Sequence, residues 1–144
     1  MSKYNENRPI LARIVPALRN NGTTDSNYVD MSQVAGTVEW VFGLGTTDTT
    51  FDFKLRRATN GSGGSEEDIT GYAITQITTG NGSKEFIVEI DRQALAHATT
   101  NFTHVRGRMT VGNGSSGAYC SLIARPNHMR YSPADDLTTV QQII

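Results

Sequence analysis

A chain of 144 residues with 37% apolar and 19% charged side chains can bury one core, and it is too apolar for disorder throughout. Its formal net charge of −1 divides unevenly: residues 1–20 carry Lys3, Arg8, Arg13 and Arg19 against Glu6, and the rest is mildly acidic, which excludes the dense basic patch of a nucleic-acid-binding domain. A single cysteine, Cys120, excludes an internal disulfide, and no apolar run approaches the roughly 20 residues of a bilayer-spanning helix.

In chain order, Ser2 to Arg8 is almost wholly polar and requires a partner for its ordering. The start lacks the basic-then-apolar pattern of a secretory signal, so synthesis in a reducing cytoplasm is expected. Ile10 to Leu18 reads either as part of an extended arm or as an ordinary first strand. Tyr28 to Met31 is a short strand, and Val34 to Phe42 a strong one with Val38, Trp40 and Phe42 on one face. That phase puts Trp40 in the core. Phe51, Phe53 and Leu55 alternate with Asp52, Lys54 and Arg56 in the clearest period-2 run of the chain.

Between Thr59 and Asp68 the Gly- and Ser-rich composition predicts a mobile loop, with Glu66, Glu67 and Asp68 read as solvated acids and calcium ligation as the alternative left open. Tyr72 to Ile77 is expected as a short strand. Phe86, Val88 and Ile90 share the face of another, and Asp91 caps a brief helical turn over residues 91–97. Val105, Gly107, Met109 and Val111 form one strand face and Ala118, Cys120, Leu122 and Ala124 another, joined by Asn113-Gly114 as a predicted hairpin. Asn21-Gly22, Asn60-Gly61 and Asn81-Gly82 carry the same turn signal, since both residue types accept the positive φ of tight turns.

The four prolines, Pro9, Pro16, Pro126 and Pro133, all lie outside residues 17–125. Proline removes a backbone donor and suits an arm or an edge. The expected organisation is therefore an N-terminal arm with a possible first strand over 1–20, a β-sandwich domain over 21–125 and a C-terminal arm over 126–144. About eight strands at regular spacing make the chain all-β, an antiparallel sandwich with a jelly-roll-like form favoured and an immunoglobulin-like one left open by strand count.

Chemistry is sparse. Gly112 to Gly117 matches G-x-G-x-x-G, but strand leads to strand there, whereas a dinucleotide site needs a helix. His97, His104 and His128 belong to no metal-ligand cluster, Cys120 sits in phase with core residues, and no nucleophile elbow occurs. No catalytic residue, metal or cofactor is expected, and an enzyme is the least favoured class. Tyr4, Tyr119 and Tyr131 are the aromatic residues expected at the surface.

The order of segments resembles that of small virion structural proteins of tailed bacteriophages, of the capsid decoration or cement type. The likeness rests on Tyr28-Val29-Asp30-Met31-Ser32, Phe51-Asp52-Phe53-Lys54-Leu55, the passage from the acids into Ile69-Thr70-Gly71, Phe86 to Asp91, Val105 to Gly112, and Gly117-Ala118-Tyr119. It implies a non-enzymatic protein made in the host cytoplasm and carried on the capsid surface. Its partners are then the major capsid protein and copies of itself, as a trimer or another symmetric cluster, with no nucleic acid and no membrane. The arms are the expected fasteners: Arg8, Ile10, Leu11, Arg13, Ile14, Val15, Leu18 and Arg19 at one end, Val140, Ile143 and Ile144 at the other. Basic residues would meet acidic neighbours, and the apolar ones would fill a groove or add a strand to another sheet. A tail or connector component and a carbohydrate-binding adhesion module are the other classes in play.

Overall fold

The computed structural model describes residues 9–127 and the backbone of residues 140–143. In chain order its strands are β1 (Ala12–Arg19), β2 (Gly22–Asp25), β3 (Val29–Asp30), β4 (Val38–Thr47), β5 (Phe51–Ala58), β6 (Glu67–Ala73), β7 (Lys84–Ile90), β8 (His104–Val111), β9 (Ala118–Pro126) and β10 (Val140–Ile143). The first sheet runs β1-β9-β4-β7-β10 and the second β2-β8-β5-β6, with β3 also paired to β8. Every pairing is antiparallel except that of β10 with β7, which is parallel.

The chain is thus all-β, and the period-2 runs explain how its two sheets share one core. Val38, Trp40, Phe42 and Leu44 point inward from β4, as do Phe86, Val88 and Ile90 from β7 and Cys120, Leu122 and Ala124 from β9. Facing them are Phe51, Phe53 and Leu55 on β5 with Val105, Met109 and Val111 on β8. Phe42 stacks on Phe86 of its own sheet at 4.8 Å and meets Phe53 of the other at 4.4 Å. Each such fully buried side chain contributes about 1.5–3 kcal/mol of hydrophobic stabilisation. Trp40 is fully buried, and its indole N–H has no acceptor among the described residues; nothing in the structure accounts for that.

The predicted hairpin of residues 105–111 with 118–124 does not form. β8 pairs in the second sheet and β9 in the first, so their apolar faces meet across the core instead of lying side by side. A Cβ on Gly107 of β8 would stand 2.7 Å from Leu122 of β9 and 3.0 Å from Phe53, so this close approach requires glycine. The turns at Asn21-Gly22 and Asn81-Gly82 likewise carry the chain from one sheet to the other, whereas Asn60-Gly61 joins the paired strands β5 and β6. Of the four asparagines only Asn21 takes a positive φ, of 46°. Asn-Gly marks a reversal, and it does not say in which sheet the returning strand finds its partner.

The expected mobile loop is also corrected. Thr59 N–H donates to Gly64 O (2.9 Å), Asn60 Oδ1 accepts from the N–H groups of Ser62 and Gly64, and β6 begins at Glu67. β6 ends at Ala73, so the strand expected over 72–77 is displaced; Ile77 keeps one isolated bridge to Phe51. A short 3-10 turn, Arg92–Leu95, follows the Asp91 cap as expected, with Asp91 Oδ1 accepting from Ala94 N–H at 3.1 Å. Residues 12–19 are a strand of the chain's own first sheet, which is the second of the two readings of that segment. The sheet also takes in Pro126 at the end of β9 and residues 140–143, so it draws on both sides of 21–125.

Candidate docking face

β1 is an edge strand whose residues separate into two faces. Ala12 and Ile14 point into the core and Leu11 packs against it, while Arg13 and Val15 point out. A bulge between Ile14 and Ala17, at Pro16, then shifts the phase, and Leu18 faces out opposite Tyr119 of β9. Val15 is 62% exposed, Leu18 49% and Tyr119 58%, with Ile10 exposed just ahead of the strand. They are the exposed large hydrophobic residues among those described.

The free backbone edge of β1 is already occupied. The Asn27 side chain donates to Leu11 O (2.9 Å) and accepts from Arg13 N–H (3.2 Å). Arg19 turns back across the bulge and donates to Val15 O (3.0 Å), Ala17 O (3.3 Å) and Cys120 O (3.1 Å). Pro16 has no N–H to offer. An edge capped in this way resists addition of a foreign strand. Docking on this side therefore falls to outward side chains, not to the backbone.

Of the residues predicted to bind partners, Ile10, Val15 and Leu18 are presented, and Arg13 is exposed with no ion pair among the described residues. Ile14 and Leu11 serve the core, and Arg19 serves the bulge. Val140 and Ile143 lie on the backbone of β10 at the opposite edge, and Arg8 and Ile144 fall outside the described residues, as do Tyr4, Tyr131 and His128. Tyr119 belongs with the presented group. Its signal in the sequence is its position between Ala118 and Cys120, out of phase with the core. Asn27 carries no sequence signal, since its task depends on where β1 comes to lie.

The second sheet carries a charged outer face of a different kind. Glu66 sits between Arg56 (2.7 Å), Arg106 (2.6 Å) and Arg108 (3.4 Å), and it accepts a hydrogen bond from the Tyr28 hydroxyl. Arg108 also holds Asp25 in a two-pronged pair at 2.6 and 2.8 Å, and Asp68 bonds Lys54 at 2.7 Å. Arg56 Nε lies 2.9 Å from Asp68 but is not aligned as a hydrogen bond, so this contact is an ion pair by proximity. The bond from Arg108 holds the Asp25 carboxyl below its ordinary range, and the bond from Lys54 does the same for Asp68. Burial pushes Glu66 up, but the bonds from Tyr28 and Arg106 outweigh it and the net direction is down. The Tyr28 hydroxyl is pushed up to about 12, by burial first and by its bond to Glu66 second. The acids expected to be solvated are thus tied into an ionic network.

Nucleophile and metal chemistry find no assembled site among the described residues. Cys120 is buried, and that burial pushes its thiol up against the lowering effect of Arg19. His97 accepts backbone N–H bonds from Thr99 and Thr100, His104 contacts Thr103, and no three metal-ligating side chains converge. No described helix is long and apolar enough to cross a membrane. No family model matches the chain, and searches of curated proteins and of solved structures find no match.

Proposed function

We propose that this chain is a non-enzymatic structural protein of a phage particle, of the capsid decoration or cement type. It is made in the host cytoplasm and sits on the capsid surface as a trimer or another symmetric cluster, binding across major capsid protein subunits and stabilising the shell. The observation that carries this reading is the exposed strip of Val15, Leu18 and Tyr119, with Ile10 beside it, on an edge whose backbone is already capped. Such a strip suits packing into an apolar groove of a neighbour, and each side chain so buried is worth about 1.5–3 kcal/mol. The basic Lys3 and Arg8 of the N-terminal segment, with Arg13, would meet acidic groups of the shell.

We read the two sheets as a jelly-roll-like sandwich. The order β1-β9-β4-β7 opposite β2-β8-β5-β6 supports this, because it is the order produced when two Greek keys interleave. That architecture serves viral capsid and lectin domains alike, so it supports the scaffold and leaves the role to the surface.

The test is co-sedimentation with shells of the phage particle that carries the protein. Replacing Val15→Asp and Leu18→Asp together removes attachment while the thermal unfolding midpoint stays within a few degrees. Full attachment by a folded double variant would overturn the reading.

A further inference from the structure

The outer face of the first sheet holds a bay beside the docking strip, with Tyr119 as the one exposed residue the two have in common. Ser121, Gly43 and Glu85 lie in one register row across β9, β4 and β7. In the next row Gly45 stands between Tyr119 and Ser83, whose N–H donates to Gly45 O at 3.0 Å. The walls are therefore two strand spacings apart, roughly 10 Å, over a floor of glycine. The hollow measures about 390 Å³, within the range of small-ligand sites.

The glycines need explaining. Glycine weakens the interior of a strand, and neither Gly43 nor Gly45 has a positive φ that would demand it. A Cβ on Gly43 would meet only Ser121 Oγ within 4 Å, at an ordinary 3.5 Å, so the protein's own packing leaves room for a side chain there. Gly45 is accounted for by close approach, since a Cβ there would stand 3.1 Å from Tyr119 Cβ; what Gly43 supplies is open space one row away from that exposed aromatic ring. The polar ends of Tyr119, Ser121 and Glu85 have no partner among the described residues.

The geometry points to a binding site for a neutral hexopyranose. The C–H face of the sugar ring stacks on Tyr119, and its rim hydroxyls bond Ser121 Oγ and the Glu85 carboxylate. A purely apolar ligand would strip water from Glu85 without replacing it, and an anion finds no net attraction where Lys84 and Glu85 both line the bay. A sugar offers an apolar face and hydroxyl donors together. The site does not depend on the virion reading, and it lies on β9, β4 and β7 rather than on Val15 and Leu18.

The experiment titrates the full chain with glucose, galactose, mannose and N-acetylglucosamine and follows backbone amide shifts. At least one sugar gives saturable shifts at Tyr119, Ser121, Glu85 and Gly43. Tyr119→Ala weakens that binding at least about tenfold, the equivalent of ~1.4 kcal/mol. Gly43→Val abolishes it by filling the floor, with capsid attachment retained, and Glu85→Gln, at an exposed position, weakens it without disturbing the fold. No saturable shift with any of the four sugars overturns the site, as does wild-type binding by Gly43→Val or by Glu85→Gln.

Discussion

Arg19 shows how a residue that looks like a surface contact acquires an internal task. At the bulge around Pro16 one guanidinium donates to the carbonyls of Val15, Ala17 and Cys120 together. Arg19→Ala removes those three bonds, two of them part-buried. A loss of about 1–3 kcal/mol in chemical denaturation is expected, with Arg19→Lys recovering only part of it because an ammonium lacks the planar fork. An unchanged midpoint in Arg19→Ala would show that water replaces the guanidinium at no cost. Gly107 makes the same point in the core, where the sequence shows a weak spot in a strand and the structure shows Leu122 and Phe53 pressed against it.

Among the elements, β6 depends most on charge. Its first residues and the turn before it are held to β5 and β8 by Glu66 with its three arginines, by Asp68 with Lys54, and by Glu67 with Arg57 at 2.9 Å. Asp25, Glu66 and Asp68 all lie below their ordinary values, 3.8 for the aspartates and 4.5 for Glu66. Carboxyls lowered on folding stabilise the native state fully above those ordinary values, and the contribution is lost as pH falls through the lowered ones. Stability therefore holds steady, as far as these groups go, from neutrality down to the ordinary carboxylate range and falls below it. Glu66→Gln should unfold more easily at neutral pH and show a shallower decline in acid, measured by urea titrations across pH. A slope identical to that of the unaltered chain would remove Glu66 from the account.

At the scale of the whole molecule, the fold separates what holds it together from what is offered outward. The first described ladder contact comes at Leu11, whose N–H donates to Ala124 O at 2.8 Å. Removing residues 1–9 should therefore leave the melting temperature unchanged while it abolishes stable attachment to shells; unaltered attachment would end the role assigned to the N-terminal segment. Arg13→Ala should weaken attachment most at low ionic strength, since exposed charges are screened over about 10 Å at 0.1 M salt. An effect independent of salt would assign Arg13 to packing instead.

The alternation of apolar residues by itself determined the class, the inward faces of β4, β5, β7, β8 and β9, the burial of Trp40 and Cys120, and the cap at Asp91. All of these depend on neighbours one to four positions away, which a sequence displays directly. Only the tertiary structure decided that β8 and β9 face each other instead of pairing, that residues 12–19 close their own sheet, and that Glu66 joins an ionic network. It also decided that Gly45 stands beside Tyr119 and Gly43 beside Ser121. Each of those outcomes turns on which distant strand lies alongside, as Ala12 lies alongside Ala124. Core burial and hydrogen bonding settle that choice together, and no local pattern carries it.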